Sequence, residues 1–287
     1  MALPGDQPEL LAKAGSRGAD ALIADLEDAV APAAKQTARD MVADWLTGLD
    51  NSGLDRAPAS GLAGRQIWVR INADTVDDEI VAVAHPRLAG VVVAKATVDV
   101  MGSAASALQQ RRARLGLDRD FAVVGLIESG QGLMDAAQIA AGPQVANLAL
   151  GEADLAAELG LDPSADQREL WPYRAVVVAA SAAAGIAPPT GPVSTDFRDL
   201  EALASGCETL RRQGFRSRSA IHPAQVKVIN AAFTPSPAKV ASAQDVLARL
   251  DAADGGATVA ADGRMIDEAV ARSAREVLSR TPLDQEG

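Results

Sequence analysis

The chain has 287 residues, with 27 basic and 38 acidic side chains and a formal net charge of −11. That charge repels phosphate backbones and anionic membrane surfaces, so a nucleic-acid binder or a membrane-surface protein is excluded, though one locally basic pocket is not. Hydrophobic residues make up 48% and charged residues 23%, a globular balance, and the length suits a single large β/α domain. Cys207 is the sole cysteine, and His85 and His222 are the only histidines. Internal disulfides, thiolate clusters and multi-histidine metal sites are thereby removed. The opening Met1-Ala2-Leu3-Pro4-Gly5-Asp6 lacks a basic start and an apolar run, and the weakly polar stretch 175–187 is too short to span a bilayer. A cytoplasmic protein is expected.

Taken in chain order, short β-branched runs alternate with Ala-rich helical stretches. A weak strand at 2–4 precedes a strong one at 21–25, a helix over 33–47, and a Gly/Asn/Ser/Pro-rich loop over 48–64. Strands follow at 66–71, 90–94, 121–127 and 146–150, with helices over 101–115, 132–140 and 173–184. Two further weak strands are read at 185–189 and 219–221. The strong runs are nearly continuously apolar, as parallel strands buried on both faces require. Eight strands separated by helices predict a (β/α)₈ TIM barrel over residues 1–235, with an open doubly wound sheet as the alternative. After Thr234-Pro235-Ser236-Pro237 come a helix over 238–252, a turn at Gly255-Gly256 and a helix over 267–280, read as a C-terminal helical extension, 236–287.

Polar residues collect where the strands end, which in a barrel is the rim that carries chemistry. They are Asp25-Leu26-Glu27-Asp28, Arg70-Ile71-Asn72, Lys95, Glu128, Gly151-Glu152-Ala153-Asp154 and His222-Pro223. Carboxylates with an Arg and a Lys among them fit a divalent cation plus an anionic ligand. Oxygen ligands alone suit Mg²⁺, with Glu128 and Asp154 ending consecutive strands, and Arg70 supplies a fork for a carboxylate. Such a pair of features would bind a 2-oxo acid and stabilise charge developing on its keto oxygen. Plainer roles compete: Asp154 as a helix N-cap, Glu128 salt-bridged to Arg70 or Lys95, Asp25, Glu27 and Asp28 as helix-starting acids, Lys95 as an exposed loop residue, His222 as a hydrogen-bonded structural histidine. Gly130-Gln131-Gly132 opens like a dinucleotide fingerprint, but Asp135 stands where the third glycine belongs, and a carboxylate there would face the pyrophosphate.

The ordered strings then carry a resemblance. Gly18-Ala19-Asp20-Ala21-Leu22-Ile23-Ala24-Asp25-Leu26-Glu27-Asp28-Ala29-Val30 with Lys35 and Ala38-Arg39, Val69-Arg70-Ile71-Asn72, Leu126-Ile127-Glu128, and Leu150-Gly151-Glu152-Ala153-Asp154-Leu155 run in sequence. They continue with Ala220-Ile221-His222-Pro223-Ala224-Gln225, Phe233-Thr234-Pro235-Ser236 and Gly263-Arg264-Met265-Ile266-Asp267. Together they resemble the HpcH/HpaI aldolase–citrate lyase family, its citrate lyase β-subunit branch above all. The resemblance implies a Mg²⁺-dependent lyase of the citryl-CoA lyase kind, cleaving a citryl-, malyl- or citramalyl-like thioester of coenzyme A or an acyl carrier to acetyl thioester and a 2-oxo acid. It also implies a homotrimer or larger homo-oligomer. Carried over by position, Glu128 and Asp154 would be metal ligands, Arg70 the carboxylate clamp, and Glu27 and Asp28 holders of metal waters. Lys95, Gly151, Glu152 and Ala153 would line the substrate site, and Asp267 would act as acid/base in a neighbouring subunit's site, on which the extension packs. A 2-oxo-acid aldolase without thioester, and a weakly active or inactive subunit of the same fold, are the alternatives. Ala94, Thr190 and Ser217-Arg218 depart from the family pattern.

Overall fold

A computed structural model describes residues 1–51, 65–253, 257–260 and 263–281. The chain divides into two compact units, Met1–Ile229 and Asn230–Gly287. In the first, eight strands form one sheet: β1 Ala2–Pro4, β2 Ala21–Asp25, β3 Gln66–Ile71, β4 Leu88–Val93, β5 Ala122–Ile127, β6 Val145–Leu150, β7 Thr190–Gly191 and β8 Ser217–Arg218. The helices between them are α1 Pro8–Ala12, α2 Lys35–Asn51, α3 Val76–Val83, α4 Val98–Leu115, α5 Gly130–Met134, α6 Ala136–Ala140, α7 Glu152–Leu159, α8 Trp171–Ala184 and α9 Leu200–Arg212, with α10 Pro223–Phe233 after β8.

The strand order is β1 through β8 in sequence, every neighbouring pair parallel. A doubly wound sheet reverses its strand order at a switch point; this sheet does not, and that alternative falls. The Ala2 N–H donates to the Ala220 carbonyl at 2.8 Å, joining the first edge to the chain just past the last.

Outward-facing strand residues are sealed under the helices: Leu22, Val69, Val91, Val123 and Leu148 are fully buried. Inward-facing positions Trp68, Val92, Val124 and Ala149 form a second cluster, packed by Ala21, Ile23, Ala122 and Leu126. Gly90 makes room there, since a Cβ on it would sit 1.9 Å from the Ala122 carbonyl and 2.8 Å from the Trp68 ring.

β7 and β8 lie elsewhere than the sequence pattern placed them, at 190–191 and 217–218 instead of 185–189 and 219–221. Residues 185 and 186 instead close α8. Gly185 is left-handed (φ 68°), and the Ile186 N–H returns to the Ser181 carbonyl at 3.2 Å. Pro188 and Pro189 have no N–H to give a ladder. β8 in turn pairs only along the short length that β7 offers, Thr190↔Ser217 and Gly191↔Arg218. The helix read over 132–140 is two, broken at Asp135 (φ −94°, ψ 6°). The first of these begins with Ser129 Oγ accepting the Gly132 N–H at 3.1 Å, so the Gly-Gln-Gly string is a capped helix start. α2 runs on to Asn51 into the expected loop; residues 52–64, and the Gly255-Gly256 turn, lie outside the described residues.

The departures from the family pattern answer one another. Thr190 Oγ1 and Ser217 Oγ are hydrogen-bonded at 2.9 Å. The Arg218 side chain turns outward to the Pro192 carbonyl (2.9 Å) and towards Cys207 on α9.

In the second unit, α11 Pro237–Ala252 is capped by Ser236, and α12 Glu268–Ser279 by Asp267. Between them lies an antiparallel hairpin, β9 Thr258–Val259 with β10 Met265–Ile266, so the extension is not helical throughout. Its core is Leu250, Ile266 and Ala271.

Candidate active site

Alternation along the strands puts one set of residues inside the barrel. Continuing the inward phase of Ile23, Trp68, Leu126 and Ala149 by two residues reaches Asp25, Arg70, Glu128 and Gly151. Three strand ends therefore point charged side chains at one rim, and the fourth brings Gly151 beside them.

Arg70 stands at the centre of the acidic side. Its Nε and Nη2 donate to Asp25 Oδ1 and Oδ2 at 2.7 and 2.5 Å, and Nη1 lies 3.1 Å from Glu27 Oε2 and 3.6 Å from Asp28 Oδ2. Burial alone would lower the guanidinium's pKa, but the Asp25 fork, Glu27 and Asp28 outweigh it and raise it. Expected as a free carboxylate clamp, Arg70 has one edge of its fork occupied by Asp25. Its Nη1 side faces Glu27 and Asp28, so every edge of the guanidinium has an acidic neighbour. Asp25, for which starting a helix was the plainer of two readings, ends β2, is 2% exposed and also accepts the Glu27 N–H at 2.9 Å. Glu27 is buried, bridging Arg70 and Lys95, whose Nζ lies 3.2 Å from Oε1. That contact, by hydrogen bond and by charge, raises the Lys95 pKa.

Glu128, just past the end of β5 and two strands on from Arg70, is 3% exposed. Its Oε1 accepts the backbone N–H of Lys95 at 2.7 Å, not a side-chain salt bridge. Lys95 reaches it by adopting a left-handed backbone, φ 48°, unusual outside glycine. Burial pushes the Glu128 carboxyl up to about 7; the Lys95 N–H opposes this, and the charges of Glu27 and Asp154 add to it. Gly151 packs against it so closely that a Cβ would stand 2.6 Å from Glu128 Cβ and 2.7 Å from Oε2. Asp154 lies exposed in the first turn of α7, where Gly151 is the N-cap, so Asp154 does not cap the helix.

The Glu152 carboxylate, expected at the substrate, turns away. It receives Arg174 Nε and Nη2 at 2.5 and 2.8 Å, and Arg174 is 2% exposed. Glu152 and Ala153 are the first two residues of α7, after the N-cap Gly151. His222 has the structural role expected of it. Its Nδ1 accepts the Ala224 N–H at 3.2 Å, and its ring stacks on Phe197 with centroids 4.7 Å apart. Asp267 belongs to the second unit, where its Oδ1 accepts the Val270 N–H at 3.0 Å.

Among the described residues, two buried charges escaped the sequence reading. Glu79, fully buried on α3, receives the Asn72 N–H and Nδ2 at 2.8 Å each; burial raises its pKa against those bonds. Arg174 is the other. Both stand in the buried stripe of their helices, Val76/Glu79/Ile80/Val83 and Arg174/Val177/Ser181. A lone charge at that phase is the signal that marks them.

Among the described residues no group of three or more His, Cys, Asp or Glu side chains forms a metal cage. Mg²⁺ needs less from a protein, binding through one or two carboxylates with substrate and water oxygens. Glu128 meets that requirement: it is buried and burdened by neighbouring carboxylates, and its Oε2 carries no hydrogen bond among the described residues.

A parallel β/α barrel whose carboxyl rim gathers Asp25, Glu27, Asp28 and Glu128 around the half-buried Arg70 is the architecture of an enzyme site for a divalent cation and an anionic ligand. The model of the HpcH/HpaI aldolase/citrate lyase family matches residues 1–223, and the chain belongs to that family, a family of lyases. It is 31% identical to a (3S)-malyl-CoA thioesterase of Cereibacter sphaeroides over 97% of this chain and 92% of that protein. It is also 31% identical to an L-malyl-CoA/beta-methylmalyl-CoA lyase of the same species, over 98% and 93%. Among solved structures, the CitE protein of Mycobacterium tuberculosis, in complex with magnesium, acetoacetate and coenzyme A, superposes with a TM-score of 0.73. The two share 30% identity over 97% of this chain and 96% of that one.

Proposed function

We propose that this chain is a Mg²⁺-dependent lyase that cleaves a 3-hydroxyacyl-coenzyme A thioester of the malyl or citramalyl type to acetyl-coenzyme A and a 2-oxo acid. The observation that carries the reading is the Glu128 pocket: a buried carboxylate near neutrality, walled by Gly151 and aimed by the Lys95 N–H, within the field of Asp154 and Arg70.

Glu128 and Asp154 would hold the cation. When bound, it supplies a Lewis acid for the oxygen that becomes the keto oxygen of the 2-oxo acid. The Nη1 side of Arg70, which in this structure faces Glu27 and Asp28, would turn to the substrate carboxylate, while Asp25 keeps the guanidinium from rotating. Loss of the 3-hydroxyl proton breaks the C–C bond. Its electron pair passes to the thioester as an enolate, and one proton returned to that carbon gives the acetyl thioester. Glu27 and Asp28 would order the metal's waters, once Glu27 exchanges its contacts with Arg70 and Lys95 for them. Asp267, on a neighbouring subunit of a homo-oligomer, is assigned the proton transfer.

The test is incubation of the full chain with malyl-, citramalyl- and citryl-coenzyme A, with and without Mg²⁺, following acetyl-coenzyme A, 2-oxo acid and free thiol. Acetyl-coenzyme A and 2-oxo acid in equal amounts, Mg²⁺-dependent and without free thiol, are expected. Free coenzyme A with intact hydroxy acid would mean thioester hydrolysis instead. No turnover with no metal binding would remove the enzyme reading.

A further inference from the structure

The turn Leu26-Glu27-Asp28 carries two of the rim carboxylates, yet no regular element holds it. Almost all of its backbone is nonetheless tied. The Leu26 N–H donates to the Arg70 carbonyl at 2.9 Å, the Glu27 N–H to Asp25 Oδ1 at 2.9 Å, and the Asp28 N–H to Glu27 Oε2 at 2.8 Å. The carbonyls of Leu26 and Glu27 face the other way, and one side chain takes both. Lys35 Nζ, from the first residue of α2, donates to Leu26 O at 2.7 Å, Glu27 O at 2.7 Å and Asn72 Oδ1 at 3.0 Å. An ammonium has three protons, and these three acceptors use all of them. None is a carboxylate, although Asp25, Glu27, Asp28 and Glu79 are close in sequence or through Asn72. The same Leu26 carbonyl also accepts Asn72 Nδ2 at 2.8 Å, so both its lone pairs are filled. Asn72 is itself fixed by the fully buried Glu79.

We propose that Lys35 is the positioning residue of the acidic turn: its ammonium, seated with Asn72 and Glu79, fixes the Leu26 and Glu27 carbonyls so that the Glu27 and Asp28 carboxylates face Arg70 and Lys95. Lys35 touches no reacting atom in this scheme. What it supplies is direction, three donors diverging from one nitrogen, which the planar fork of arginine cannot reproduce. Charge alone is therefore not the requirement. The inference rests on the lyase reading for its kinetic consequence but not for its structural one.

Both consequences are measurable on the full chain, with Lys35→Arg, Lys35→Met and Asn72→Ala. In the lyase assay, both Lys35 variants are expected to lose kcat by about 10- to 100-fold, as misplacement of catalytic groups by an ångström does. Mg²⁺ affinity by calorimetry should stay within about threefold, because Glu128 keeps the Lys95 N–H and its Gly151 wall; a purely structural loss would move both. Asn72→Ala, which leaves Lys35 two acceptors, should fall between and stands in if Lys35→Met does not fold. Hydrogen exchange by mass spectrometry gives a readout independent of turnover: protection should be lost at the amides of 26–28 and kept in β3 and β5. Wild-type kcat in Lys35→Arg would overturn the geometric role, and unchanged protection at 26–28 in both Lys35 variants would overturn the positioning altogether. A wild type with no turnover but the expected exchange pattern would sink the lyase reading and leave this one standing.

Discussion

Replacing Glu128 by glutamine removes a charge that the barrel holds at a disadvantage. The carboxyl is 3% exposed and pushed up to about 7 from an ordinary 4.5, first by burial. At about 1.4 kcal/mol per pH unit, that difference amounts to about 3 kcal/mol of folding free energy. The sign follows from proton binding. Between 4.5 and 7 the folded chain holds a proton that the unfolded chain has released, so stability falls as pH rises through this window. The loss is complete above it and absent below it. Glu128→Gln keeps an oxygen to accept the Lys95 N–H and has no charge to bury. Without metal, urea unfolding at pH 8 should therefore find the variant more stable than the parent by up to about 3 kcal/mol, and at pH 4.5 the difference should shrink towards zero. Added Mg²⁺ should stabilise only the parent, since it binds the carboxylate that the variant lacks. A variant equally destabilised at both pH values, or an equal Mg²⁺ response in both proteins, would refute this reasoning.

Three other substitutions test the supports of the site. Gly151→Ala puts a methyl 2.7 Å from Glu128 Oε2; a loss of about 1–3 kcal/mol in stability and weaker Mg²⁺ binding are expected by denaturation and calorimetry, and unchanged affinity would mean that the pocket yields. Arg174→Met leaves the Glu152 carboxylate unpaired behind α7 and should cost about 3–5 kcal/mol, most of it recovered in Arg174→Met/Glu152→Leu; a double variant no better than the single would show that the pair is not what matters. Lys95→Gly retains the N–H to Glu128 and relieves the left-handed backbone by about 1 kcal/mol, whereas Lys95→Pro both removes the N–H and forbids the φ of 48° that aims it. Metal binding should survive the first change and fail with the second, as calorimetry would show.

The barrel was legible because its central strands are apolar on both faces, a pattern that needs no tertiary information; β2 and β3 fall where the pattern puts them. β7 was not, because two residues of ladder leave no periodicity to read, and the apolar residues before them serve the C-cap of α8. At the site, residue types at strand ends named the members but not their pairings. That Asp25 would take the Arg70 fork, and that Glu152 would turn to Arg174, depends on which buried charge lies within reach of which. Those partners are 45 and 22 residues apart in sequence, and spacing alone does not rank them. Lys35 was visible as part of a string, but its acceptors are carbonyl oxygens, which every residue has and no sequence displays.

The alternation that aims Asp25, Arg70, Glu128 and Gly151 inward has a consequence for how such a chain can change. Orientation at the rim is a matter of odd and even: one residue inserted or deleted within β5 would swing Glu128 from the lumen to the helical shell, while a change in the loops below leaves it untouched. Length variation can therefore accumulate in the connections between strands, and the chemistry persists as long as each strand's count stays in phase.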